Sequence, residues 1–171
     1  MKIALSELNA SSGDVFVRLV GPVFEHSPWI AQATWPKQPF NGLDELHRRL
    51  CDTVRQAGEE KQLALICAHP DLVGRAALAG TLTPSSTAEQ SGAGLNRLDV
   101  EEIATFQKYN QAYRDTFGFP FVICARLNKK EAILKAFPAR LGNSREQEIK
   151  TALEEIYKIA YFRLSDIVTP E

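Results

Sequence analysis

Cysteine is scarce and odd in number, with Cys51, Cys67 and Cys124 the only three. They cannot all pair within one chain. Cys67 and Cys124 also sit in apolar runs, which reads as reduced, buried thiols in a cytoplasmic protein rather than a disulfide framework. An excess of charge of one sign is missing too: the formal net charge is −1, which argues against nucleic-acid binding by a basic face. No apolar stretch approaches a membrane span. The opening residues Met1 to Glu7 lack an apolar signal core, and Val168 to Glu171 do not form a peroxisomal address. Internal repeats, low-complexity tracts and charge blocks are absent. So are a phosphate-binding loop, Gly-x-Gly-x-x-Gly and Gly-x-Ser-x-Gly. Cys67-Ala68-His69 offers two metal ligands, but no second pair at zinc-like spacing accompanies it. No metal and no organic cofactor is therefore expected.

What is present is an ordinary globular composition over 171 residues, enough for one domain, 1–171, with a real core. Helix signals dominate. Ser27-Pro28 fits a cap followed by proline, opening Trp29 to Trp35. Asp44 can cap a helix through Leu46, Leu50 and Val54 that ends near Gly58. Asp99 with Glu102, and Ser144 with Gln147, have capping-box spacing. The first opens a long helix bearing Ile103, Phe106, Asn110, Tyr113 and Phe117, stopped at Gly118. The second opens a helix carrying Ile149, Leu153, Ile156 and Ile159 inward to about Ile167. Asn128 starts another through Ile133 and Phe137. Leu63 to Ala68 is ambiguous between helix and strand. Phe119 to Ala125 reads as extended, because Pro120 disfavours helix just before it. The stretch from about Gly80 to Arg97 reads as a long, functional loop. The fold class is all-α: a single-domain helical bundle with one extended apolar segment near residues 119–125.

Four features can carry chemistry. Ala68-His69-Pro70-Asp71-Leu72 places an imidazole at the end of an apolar run, where burial can tune it and Pro70 fixes the chain direction. A purely structural histidine satisfies the same pattern. Ser86-Thr87-Ala88-Glu89-Gln90 gathers a carboxylate, a carboxamide and hydroxyls; it also fits a helix start, and free backbone N–H groups there suit an anion. Val73 to Thr83, small and flexible, lets these two segments meet, giving general acid–base chemistry. Arg163 lies late in an apolar helical face. It is either a cation favouring the helix dipole or a guanidinium aimed at a carboxylate or ureido group. Phe119 to Ala125 is either core or a pocket wall whose unpaired backbone groups accept a planar, amide-rich ligand.

These pieces, in this order, resemble the family of 2-oxo-4-hydroxy-4-carboxy-5-ureidoimidazoline (OHCU) decarboxylases over nearly the whole length. The resemblance is carried by Phe24-Glu25-His26-Ser27-Pro28-Trp29, Ala68-His69-Pro70-Asp71-Leu72 and Ser86-Thr87-Ala88-Glu89-Gln90. It continues through Tyr109-Asn110-Gln111-Ala112-Tyr113, Phe117-Gly118-Phe119-Pro120-Phe121 and Arg140-Leu141-Gly142-Asn143. It implies an all-α homodimer that converts OHCU to (S)-allantoin and CO₂ in urate breakdown, without a cofactor. It implies catalytic roles for His69, Glu89 and Arg163. It also implies substrate contacts from Pro70, from Ser86, Thr87, Ala88, Glu89 and Gln90, and from Phe121, Val122, Ile123, Cys124 and Ala125. Two competing readings are a non-catalytic helical binding module and a metal-dependent hydrolase of another ureide. The first needs an exposed apolar stripe without convergent polar groups; the second needs ligand spacing that the chain lacks.

Overall fold

Caps and apolar periodicity translate into ten α-helices and one two-residue strand pair in a computed structural model that describes residues 2–170. The chain forms two compact units. The first comprises Met1–Ala68 and Ala160–Glu171. Strand β1 (Ile3–Ala4) leads into α1 (Leu5–Asn9), α2 (Gly13–Val20), α3 (Trp29–Thr34), α4 (Leu43–Gln56) and α5 (Glu59–Ala68). Leu8, Phe16, Val20, Ile30, Leu46, Leu50 and Val54 are fully buried there.

The second unit, His69–Ile159, holds α6 (Arg75–Ala79), α7 (Pro84–Gly92), α8 (Val100–Phe117), α9 (Lys130–Leu141) and most of α10 (Arg145–Ile167). The last turns of α10 and strand β2 (Val168–Thr169) belong to the first unit. There β2 pairs in parallel with β1, Ile3 opposite Val168. The core of the second unit is aromatic. Phe121 stacks on Phe137 at 3.9 Å, and Tyr113 meets Phe121 edge-on at 5.3 Å.

The capping boxes form as expected. Glu102 N–H donates to Asp99 Oδ1 at 2.8 Å and Asp99 N–H to Glu102 Oε2 at 3.0 Å. Gly118, at φ +81°, closes α8 in a left-handed conformation that costs a glycine little. Ser144 and Gln147 pair the same way ahead of α10.

Other boundaries differ from expectation. Ser27 does not cap α3, because its hydroxyl donates to Glu25 O at 2.9 Å within a tight turn where His26 has φ +47°. Pro28 takes the cap position and the helix ends at Thr34. Gly42 rather than Asp44 precedes α4, leaving Asp44 and Glu45 in its first turn, where carboxylates complement the helix dipole. Asn128 spends its amide on Cys124 O at 2.9 Å, so α9 starts two residues later, at Lys130. The expected long loop over 80–97 contains α7. Thr83 Oγ1 accepts from Ser86 N–H, and Pro84 sits at the first helical position.

The ambiguous run before His69 is helical, and this corrects the reading of Cys67. Helical periodicity turns Leu65 and Ile66 inward and Cys67 out to solvent, while Cys51 and Cys124 are buried. Burial pushes the Cys51 thiol up to about 12 and raises that of Cys124 as well. Only the thiolate is nucleophilic. Iodoacetamide at pH 8 is therefore expected to label Cys67 quickly in the native protein and all three cysteines in urea, as read by mass spectrometry.

Candidate active site

The chain leaves α5 at His69 and runs through a short non-helical loop to Gly74 before α6 begins. His69 is 6% exposed, so the imidazole is buried. Two features fix the loop locally. Val73 adopts φ +54°, a left-handed conformation that a β-branched residue resists. Gly74 passes so close that a Cβ there would lie 2.7 Å from Asp71 Cβ. The cost of this path is offset by side chains from α7 and α8. Gln90 Oε1 accepts from Val73 N–H at 3.1 Å, Asn110 Nδ2 donates to Leu72 O at 2.7 Å, and Arg114 Nε donates to both Asp71 carboxylate oxygens. A depression of about 910 Å³ opens against the loop, lined by Pro70, Asp71, Gly74, Arg75, Asn110 and Arg114 among others.

Helix α7 sorts the second predicted cluster by periodicity. Ser86, Glu89 and Gln90, spaced i, i+3, i+4, are buried on one face, whereas Thr87 and Ala88 are exposed. The helix packs on the 3₁₀ turn Ala125–Leu127, which follows the extended segment. Raised first by burial, the Cys124 thiol is also raised by the charges of Glu155 and Glu89. The second unit thus brings together the His69 loop, the Glu89 face of α7 and the segment through Ala125.

That segment is irregular from Phe119 to Cys124, and Phe121 through Ala125 are all buried. Two of its peptide groups are satisfied by charged side chains. Arg140 Nη1 donates to Val122 O at 2.6 Å, and Glu155 Oε1 accepts from Cys124 N–H at 3.2 Å. Arg140 in turn lies over the Phe121 ring at 4.3 Å and donates through Nε to Glu148 Oε1 at 2.7 Å. Glu148, fully buried, also accepts from Tyr113 Oη at 2.7 Å and from Asn143 Nδ2 at 2.9 Å. Burial first, and then the hydrogen bond to Glu148, drive the Tyr113 phenol upward, so it stays a donor.

Arg163 lies in the first unit. Its Nη1 is 2.7 Å from Glu25 Oε2, with both side chains almost fully buried. Sequence reasoning gave no site role to Glu25, Asn110 and Arg140, which it quoted within the resemblance, and passed over Glu148 and Glu155. A signal existed for two of them: Glu148 and Glu155 fall on the same face of α10 as Ala152 and Ile159, and a carboxylate in an apolar stripe calls for a buried partner. Among the described residues, no three His, Cys, Asp or Glu side chains gather as metal ligands.

A buried imidazole in the loop after α5, a buried carboxylate on α7 and an irregular buried segment lie within the second unit of an otherwise helical enzyme. The chain belongs to the OHCU decarboxylase family, whose profile matches residues 9–165. It is 40% identical to the 2-oxo-4-hydroxy-4-carboxy-5-ureidoimidazoline decarboxylase of Halalkalicoccus jeotgali, over 99% of this chain and 94% of that one. It is 41% identical to the enzyme of the same name from Amia calva, over 96% and 94%. The crystal structure of an (S)-allantoin synthase superposes with a TM-score of 0.78 at 28% identity, covering 96% of this chain. This chain spans only 54% of that protein.

The buried network predicts a stability hierarchy. Arg140→Met strands the Glu148 charge and is expected to cost about 3–5 kcal/mol. Tyr113→Phe removes one donor to that charge and is expected to cost about 1–3 kcal/mol. Urea unfolding followed by far-ultraviolet circular dichroism ranks the two.

Proposed function

We infer that this protein decarboxylates OHCU to allantoin in urate degradation, as its family does, and that it yields the (S) enantiomer. Both compact units belong to one such domain, 1–171, since the family profile runs across both. The observation that supports the site assignment is that the loop after His69 is hydrogen-bonded to Gln90 on α7, next to Glu89, and that α7 packs on the turn that begins at Ala125.

The chemistry asks for little beyond placement. The carbon that bears the carboxylate and the hydroxyl neighbours a ring C=N bond. When the bond to the carboxylate breaks, its electron pair enters the ring and the C=N nitrogen receives it. A proton must then reach carbon on one face as the hydroxyl becomes a carbonyl. The substrate supplies its own electron sink, so no cofactor is needed for that step. Glu89 accepts the hydrogen bond of the substrate hydroxyl. His69 assists loss of CO₂ and delivers the proton, directly or through the hydroxyl. Pro70 with the buried Ser86, Glu89 and Gln90, and Phe121 to Ala125 with backbone N–H groups near Ile123, surround the ring and ureido oxygens; for the exposed Thr87 and Ala88 that role rests on the family resemblance alone. For Arg163, an anchoring role toward substrate oxygens rests on the family resemblance alone; its partner Glu25 orients the guanidinium. A homodimer completes the reading and rests on the same resemblance, while a cytoplasmic location rests on the three free cysteines.

Urate oxidase and hydroxyisourate hydrolase generate OHCU in situ, and circular dichroism follows (S)-allantoin. Wild-type protein is expected to make the signal rise fast. His69→Ala and Glu89→Ala are expected to slow it by about 10²–10⁴-fold while helical content is kept. Arg163→Lys should also slow it, because a point charge does not replace a planar fork. Slow formation of racemic product, unchanged by folded wild-type protein, overturns the assignment.

A further inference from the structure

We propose that Arg140 and Glu155 are positioning residues that pin the two peptide planes on either side of Ile123 and so aim its N–H and C=O at the amide-like edge of the substrate. This rests on the reading of Phe121 to Ala125 as a substrate wall.

A trans peptide is planar, and its C=O and N–H point in opposite directions. The peptide bonds before and after Ile123 are both trans. Arg140 Nη1 donates to Val122 O at 2.6 Å, so the N–H across that plane, which belongs to Ile123, points away from the guanidinium. Glu155 Oε1 accepts from Cys124 N–H at 3.2 Å, so the C=O across the next plane, also of Ile123, points away from the carboxylate. The plane after that is fixed as well, since Cys124 O accepts from Leu127 N–H at 3.1 Å and from Asn128 Nδ2 at 2.9 Å.

Both clamps are braced from behind. Arg140 Nε donates to Glu148 Oε1, and Lys158 pairs with Glu155 Oε2. Arg140 and Glu155 are buried, so water competes little for the bonds they make to the wall. Ile123 is buried too, and among the described residues neither its N–H nor its C=O takes part in a hydrogen bond. Buried backbone groups without partners are costly. A bound molecule that carries an acceptor beside a donor relieves both. OHCU carries N–H and C=O groups around its ring and along its ureido arm. A fixed donor and a fixed acceptor therefore select such an edge over a hydrocarbon or a phosphate, which leaves at least one of them unpaired.

The test compares Glu155→Met, which cannot accept from Cys124 N–H, with Glu155→Gln, whose carboxamide oxygen can. Both are run in the coupled (S)-allantoin assay with the uncatalysed reaction subtracted. Glu155→Met is expected to raise KM about tenfold and to keep kcat within about threefold, because the wall holds substrate and transition state alike. Glu155→Gln is expected to stay within about twofold of wild type in both. Arg140→Lys keeps a cation beside Glu148 without the planar fork and is expected to raise KM as Glu155→Met does. A variant that is merely less stable loses active enzyme, and with it kcat, at unchanged KM. That result overturns the proposal, as does Glu155→Gln being as impaired as Glu155→Met. Val122-Ile123 is the only Val-Ile pair in the chain, so ¹³C′-valine with ¹⁵N-isoleucine labelling isolates that peptide as a single signal. It is expected to move in Arg140→Lys and Glu155→Met and to hold its place in Glu155→Gln. If the first two variants do not fold, (S)-allantoin added to wild-type protein is expected to move the same signal, and a signal that stays in place overturns the proposal. Should wild-type protein fail to decarboxylate OHCU, the functional reading falls, yet the peptide signal in the variants still decides whether the planes are pinned.

Discussion

Buried backbone that is neither helix nor strand must find partners for every peptide group, and the second unit is organised around that demand. The segment from Phe119 to Cys124 lies in its interior without a ladder or a helical turn of its own. Val122 O and Cys124 N–H are met by Arg140 from α9 and Glu155 from α10. Each of those charges then needs an answer. Arg140 finds Glu148, Glu148 finds Tyr113 and Asn143, and Glu155 finds Lys158. Removing helix from one short stretch thus imposes a chain of polar commitments on three others. The same logic operates in the loop after His69, where Gln90 and Asn110 play the parts that Arg140 and Glu155 play in the wall.

Charge is used here for placement more than for stability. A buried pair gains roughly what its desolvation costs, and well-packed apolar side chains of similar volume often do as well. What apolar side chains cannot do is hold a carbonyl at a given position. The planar fork of Arg140 serves Val122 O, Glu148 and the Tyr113 hydroxyl while its face covers Phe121. A lysine has neither the separate donors in one plane nor the face. The wall at Phe121–Ala125 is therefore set by a side chain eighteen residues away in sequence, and its rigidity belongs to the network.

Much of this was legible from the chain, and the misses share a cause. The helices with capping boxes or strong periodicity, α8 and α10, were readable because local chemistry decides them. Phe119–Ala125 was readable as extended because Pro120 acts on its neighbour directly. Helix α7 was half hidden by its composition: Pro-Ser-Ser-Thr-Ala looks like loop, and the helix start read at Ser86 with Glu89 lies about one turn inside the one that Thr83 caps. Cys67 was misplaced because an apolar run has no visible face until its period is known. At the site, His69 and Glu89 stood out by residue type. Asn110 and Glu148 did not, since each lies inside a long helix and gains meaning only when a distant carbonyl or guanidinium is brought to it. Asp71 and Arg114 stand 43 positions apart, and nothing local announces such a pair.

The economy of the site follows from its task. OHCU loses CO₂ without an enzyme and yields a racemate, so a protein that yields (S)-allantoin, as proposed above, must supply handedness as well as speed. A product ratio of a hundred to one between enantiomers requires about 2.7 kcal/mol of difference between two protonation paths. The two faces of the ring present the same atoms with the same acidity, so no adjustment of the proton donor's pKa distinguishes them. Only position does. A displacement of about 1 Å in a catalytic group changes rates by about a hundredfold, which is the size of the discrimination required. A freely moving histidine would serve the rate and lose the handedness. On the proposed assignment of His69 and Glu89, the bonds from Gln90 that tie the His69 loop to the turn carrying Glu89, and the buried ion pair behind the Phe121–Ala125 segment, place the rigidity of the fold where that stereochemistry demands it.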